Sequence, residues 1–166
     1  SHKTVDNYAL GWYNGTMKRQ AINKEVINMF MAGKSVPKIG EVRFGYVAES
    51  EAKTSVHKYV GIHPYLIISN NVYNKTAGQC EVIPFTTKRT NSHNPVHVDY
   101  KAGEVEGLKK DSTLVIEGRD TIRNLQLSEP IGIFTETNWA KAVNAMMIQC
   151  PFLNVGARTD SPKAIA

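Results

Sequence analysis

Long apolar runs are missing from the sequence. No stretch approaches the ~18 residues a bilayer span needs, which excludes a transmembrane helix. Cysteine is scarce, with only Cys80 and Cys150 in 166 residues, and neither stands in a CxxC or histidine-rich setting. That argues against a disulfide framework or a structural zinc site, and fits a reduced, cytoplasmic protein. The opening Ser1-His2-Lys3 has no apolar leader core behind it, so no secretory signal is expected. A Gly-rich phosphate loop, a GxSxG elbow and an HExxH pair are all absent. The acidic residues are scattered rather than set at metal-ligand spacing, so neither a two-metal nuclease nor any cofactor is expected.

What is present fits one soluble domain. Hydrophobic residues make up 42% and charged residues 21% of the chain, ordinary values for a globular protein. The formal charge of +5 and a pI near 9.2 favour an anionic partner, either nucleic acid or an acidic protein.

Residues 16–33, "TMKRQAINKEVINMFMAG", place Ile22, Val26, Met29 and Phe30 on one helical stripe. Gly33 is a plausible C-cap, and Pro37 stops the helix from resuming. From Gly40 the period becomes two: "EVRFGYVA" puts Val42, Phe44 and Tyr46 on one face of a strand. A polar loop over 48–61 follows, longer than a simple connection requires. Further strands are expected at 64–69, 79–85, 96–100, 112–118, 121–127 and 130–134, with turn chemistry at 70–78 and a basic loop at 86–95. A helix over 137–150 closes the set, with Thr137 as its cap and Trp139, Ala142, Val143 and Met146 on its buried stripe. Short strands with hairpin-sized links, and helices only at the two ends, predict a mostly β (α+β) fold: a small antiparallel barrel or strongly bent sheet.

The chemistry-bearing residues are ambiguous one by one. His63 precedes Pro64 and must be extended; it is either a cap on the strand mouth or a proton-transfer group. Thr86 and Thr87 leave the strand "QCEVIPF" at its rim, as turn hydroxyls or as donors to a ligand. Glu117 and Arg119, with Asp120, have the look of a solvated turn, and Lys88-Arg89 is too short a pair to mark a phosphate site.

The stretch as a whole says more. "GIHPYLIISNNVYNKTAGQCEVIPFTT" (61–87) resembles the central block of the MazF/PemK/Kid toxins, with its Gly-x-Arg-Pro step, apolar strand, Tyr-Asn turn and Pro-x-Thr-Thr ending. "KIGEVRFGYV" and "DSTLVIEGRDTI" resemble the family's first and later strands. The resemblance covers roughly residues 38–150, leaving 1–37 as an N-terminal extension with an amphipathic helix and 151–166 as a flexible tail. It implies an SH3-like barrel forming a homodimer, and a metal-independent endoribonuclease that cuts single-stranded RNA at short sequences. It also implies an antitoxin partner whose acidic or amphipathic segment blocks the groove.

Carried over by position, Thr86 matches the family's catalytic threonine, and His63 occupies the place of its catalytic arginine. Ser55, His57 and Lys58 fall in the loop that stands where relatives carry a Ser-x-Gln-Gly type segment. Together with Thr87, Lys88, Arg89, Glu117 and Arg119 they form the implied RNA-binding set. Gly118 and Asp120 replace the usual glutamine and basic residue after the acidic position at Glu117. An imidazole can exchange a proton near neutral pH where a guanidinium cannot, so His63 can take over proton transfer, with Lys58, Lys88 or Arg89 supplying positive charge. The competing reading is a barrel that grips RNA, an antitoxin or another protein without cutting.

Overall fold

The change to a two-residue period after Gly40 marks the start of the sheet. The computed structural model describes residues 30, 34–52, 59–88, 90 and 92–154. The helix expected over 16–33 lies outside these except for Phe30, as do Ser55, His57, Lys58, Arg89 and the tail from 155. In chain order the strands are β1 (Glu41–Val47), β2 (Gly61–Ile67), β3 (Gln79–Thr86), β4 (His97–Tyr100), β5 (Ser112–Val115), β6 (Asp120–Arg123) and β7 (Leu127–Ile133). The helices are α1 (Glu49–Ala52), α2 (Asn71–Thr76) and α3 (Glu136–Gln149).

All ladders are antiparallel and run β4-β5-β3-β2-β1-β7, with β6 added to β3. The bend is made on β3. Its first half pairs with β6, from Gln79–Arg123 to Val82–Asp120, whereas its end pairs with β5 at Phe85–Leu114 and Thr86–Thr113. The continuous apolar run of β2 is explained by burial on both faces. Leu66 points into the main core with Val42, Ile83, Phe85, Leu114 and Phe134. Its neighbours Tyr65 and Ile67 enter a second core with Val47, Cys80, Val82, Ile122 and Leu127. The expected mostly β fold is the one observed, as a strongly bent antiparallel sheet of seven strands.

β1 departs from simple alternation. Val42 and Phe44 are buried as expected, yet Arg43 between them is only 1% exposed. Irregularities in the β1–β7 pairing on both sides of Arg43 turn its side chain inward. There its guanidinium donates to Glu41 Oε2 at 2.8 Å, to the Ser35 carbonyl at 3.0 Å and to the Ser128 carbonyl at 2.9 Å. These bonds tie the incoming chain to β1 and β7. Arg43→Ala leaves two carbonyls without this donor and Glu41 with only the Lys38 N–H at 3.0 Å, and should cost about 3–5 kcal/mol in denaturant unfolding. A loss under about 1 kcal/mol would mean that water replaces the guanidinium easily.

Several boundaries move. The stretch 70–78 is not all turn. Asn70 accepts from Tyr73 N at 2.9 Å and caps the short helix α2, whose buried Asn74 donates to the Pro37 and Ser69 carbonyls, each at 3.1 Å. The cap of α3 is Thr135 rather than Thr137. Thr135 accepts from Asn138 N at 3.2 Å while Asn138 Oδ1 accepts from Thr135 N at 3.0 Å. The earlier start centres the buried stripe on Asn138, Ala142 and Ala145, leaving Trp139 and Met146 partly buried and Val143 exposed. The strand expected over 112–118 gives way at Ile116–Gly118 to a single 3-10 turn. The strand expected over 121–127 stops at Arg123, where a second 3-10 turn, Asn124–Gln126, intervenes. The piece expected at 130–134 belongs to the longer β7. The charged segment 101–111 also contributes to the core, through the fully buried Val105 and Leu108.

Candidate active site

Two prolines make the cleft. The β2–β3 ladder runs Ile67–Val82, Leu66–Ile83, Tyr65–Pro84 and ends there. Pro64 and Pro84 have no N–H to carry it further. Beyond that point β2 pairs only with β1, at Phe44–Pro64 and Gly45–His63, while β3 turns to β5. Extending the lost register by two steps sets His63 opposite Thr86. The strands have separated there, and a cleft of about 430 Å³ lies between them. Its polar lining is His63, Thr86, Thr87, Lys88 and Ser112, against an apolar wall that includes Phe44, Tyr59, Ile62 and Phe85.

Gly61, with φ of +88°, makes the turn into β2 and carries the chain so that His63 Nε2 lies 3.0 Å from the Val60 carbonyl. A carbonyl can only accept, which assigns the proton to Nε2 and the lone pair to Nδ1. Burial holds the His63 pKa below the ordinary imidazole value. The Val60 bond works in the opposite direction, and the charge of Lys88 adds to the lowering. At neutral pH the ring is therefore an uncharged base. The Tyr59 ring meets it edge-on, with centroids 5.3 Å apart and planes at 72°.

Thr86 is buried at the end of β3, and its Oγ1 accepts from Lys88 N at 3.2 Å. Accepting there leaves the hydroxyl proton available for donation. Thr87 and Lys88 stand exposed at the rim. Ser112 also lines the cleft, but its hydroxyl donates to the Lys110 carbonyl at 2.8 Å.

Glu117 and Arg119 do not line this cleft. Glu117 Oε1 lies 2.5 Å from His97 Nε2, and the other ring nitrogen of His97 meets the Ser92 hydroxyl. These bonds tie Ser92 through His97 to the turn after β5. Arg119 is exposed, with Nη1 3.7 Å from Cys150 Sγ. Between them, the buried Gly118 backs onto Tyr59. Neither Tyr59 nor His97 stands out in the sequence, because nothing in a polar stretch or a short strand marks them. The Cys80 thiol is buried, and its pKa is pushed up to about 12, which makes it unreactive. Among the described residues no group of three or more His, Cys, Asp or Glu is placed to hold a metal ion. No helix among them is long and apolar enough to cross a membrane.

The sequence matches the family model described as PemK-like, MazF-like toxin of type II toxin–antitoxin system over residues 43–149. The chain belongs to this family. The matched span begins inside β1 and runs to the end of α3. A comparison with curated proteins finds no match. Three solved toxin structures share the fold. An endoribonuclease in complex with its cognate antitoxin, from a mycobacterial species, superposes with a TM-score of 0.52 at 20% identity, covering 68% of this chain and 92% of its own. MazF from Deinococcus radiodurans gives 0.55 at 16% identity, with 69% and 96% covered. The Mycobacterium tuberculosis toxin MazF-mt6 gives 0.51 at 19%, with 65% and 93% covered. At these identities the likeness concerns the PemK/MazF fold.

Proposed function

We propose that this toxin-family chain is a metal-independent, sequence-specific endoribonuclease acting on single-stranded RNA. The observation that carries the reading is that His63 and Thr86 line one cleft where the β2–β3 ladder ends. Membership of the PemK/MazF-like family supports it. So does a solved relative of the same fold that is an endoribonuclease bound to its cognate antitoxin.

Cleavage without a metal requires a base for the 2′-hydroxyl, a donor to the phosphorane oxygens and a proton for the 5′-oxygen. In the proposed step, His63 Nδ1 takes the 2′-OH proton. The 2′-oxygen bonds to phosphorus as the bond to the 5′-oxygen breaks, and the protonated His63 ring returns the proton to that oxygen. The products are a 2′,3′-cyclic phosphate and a 5′-hydroxyl. Thr86 donates to the non-bridging oxygens, and Lys88 offsets their charge. Thr87 and Lys88 contribute RNA contacts from the rim, and Ser55, His57, Lys58, Arg89, Glu117 and Arg119 complete the RNA-binding set. The +5 charge suits both RNA and the acidic segment of an antitoxin that would block the groove. The working unit is a homodimer in the cytoplasm.

Thr86→Val removes the donor while keeping the bulk, and should slow cutting of a long RNA by about 10²-fold. An unchanged rate removes Thr86 from the mechanism. A second reading draws on the Val60 bond, which also suits a histidine capping the mouth of β2 in a binder that does not cut. RNA binding with no cut ends at any protein concentration would establish that reading instead.

A further inference from the structure

We infer that Tyr59, seated in the space Gly118 leaves beside Pro84, is the positioning residue that fixes the orientation of the His63 ring. This deepens the proposed function and rests on it for its catalytic meaning, though not for its geometry.

Three observations support it. The Tyr59 ring meets the His63 ring edge-on at 5.3 Å between centroids, an arrangement that aligns one ring edge with the other's face and resists rotation. Tyr59 also immediately precedes Val60, whose carbonyl is the 3.0 Å partner of His63 Nε2. One residue therefore governs both the side wall of the imidazole and the placement of its hydrogen-bond acceptor. Finally, a Cβ at Gly118 would lie 2.8 Å from Pro84 Cγ and 3.2 Å from Tyr59 Cε2. The closer clash is with Pro84, which is held in β3 opposite Tyr65, so a side chain at 118 must shift the turn that carries it or the Pro84 ring, and the Tyr59 ring packed beside them gives by a few tenths of an ångström.

The arrangement has a chemical consequence. With Nε2–H committed to Val60, the lone pair sits on Nδ1. A ring released by loss of Tyr59 turns, exchanges its Nε2 proton with water and becomes better solvated. Three groups act on the titration of His63. The Tyr59 ring packs against it, the Val60 carbonyl favours the protonated form, and the Lys88 charge disfavours it.

The test is a nitrogen-15 NMR titration of the free protein, with the His63 signal assigned by its loss in His63→Gln. The parent should show a slowly exchanging Nε2–H and a midpoint below the ordinary imidazole range. Tyr59→Leu and Gly118→Ala should each lose the slow-exchanging proton and move the midpoint upward, while Tyr59→Phe keeps the parent's behaviour. With RNA, Tyr59→Leu and Gly118→Ala should lower kcat about tenfold or more with KM little changed. If a folded Tyr59→Leu retains the parent's proton signal and midpoint, the inference is overturned. If both change as expected but not even the parent cuts RNA, the positioning role stands and the ribonuclease reading fails.

Discussion

His63→Ala should slow RNA cleavage by about 10²–10⁴-fold, the usual contribution of a positioned proton-transfer group, and leave the unfolding midpoint close to that of the parent. The ring lies at the mouth of β2, where the strand pairs only with β1, and it belongs to neither large core cluster. Its removal therefore costs chemistry rather than packing. The pH dependence gives a second reading of the same residue. The base form is the active one, and the His63 pKa is lowered. The rate should then be level around neutrality and fall as acid titrates the ring, below the ordinary value of about 6.5. An arginine in this place would give no such inflection, because its pKa lies above about 12. An undiminished rate for His63→Ala would return the histidine to the role of a cap.

The largest effect on stability is expected at Gly132. A Cβ there would lie 1.9 Å from the Glu106 carbonyl oxygen and 2.5 Å from its carbon, and in return a Cβ at Gly107 would lie 2.4 Å from the Ile131 carbonyl oxygen. The 101–111 segment and β7 thus cross backbone against backbone, and neither can move without lifting the fully buried Val105 and Leu108 out of the core. Gly132→Ala should cost more than about 4 kcal/mol, a large share of the roughly 5–15 kcal/mol that holds a domain together. Gly61→Ala is the matched control. Its φ is +88°, but nothing lies within 4 Å of the added Cβ, so the cost should stay near the 1–2 kcal/mol of left-handed strain. Guanidinium unfolding of the two variants checks the ranking. Equal midpoints would show that the crossing can relax.

The sheet could be read in the sequence wherever one rule was enough. "PYLIIS" reads as a central strand because both its faces are buried, as Leu66 on one side and Tyr65 and Ile67 on the other bear out. The helix near the C-terminus was also legible, but its start was not: Thr135 and Thr137 both offer a capping hydroxyl, and the reciprocal bond from Asn138 decides between them. Helix α2 was hidden because it is held by Asn70 and Asn74 and has no apolar stripe. Charge concealed the inward-facing Val105 and Leu108, and an irregular ladder concealed the inward turn of Arg43.

For the candidate site, the sequence supplies the residues and the register supplies their relation. His63 and Thr86 lie on successive strands with a helix between them, and nothing local says that two prolines end the ladder so that both line one cleft. The exchanges at His63 and Gly118 look independent in the sequence, yet Tyr59 touches the first and fills the space beside the second.

The most direct test of the ribonuclease reading is to incubate the purified protein with a long single-stranded RNA in EDTA and map the cut ends beside those made by His63→Ala. The expected result is cuts at a short recurring sequence, bearing 2′,3′-cyclic phosphate and 5′-hydroxyl ends and nearly absent in the variant. Cuts that appear only when Mg²⁺ is restored and leave 5′-phosphates, or no cuts at all, would contradict it.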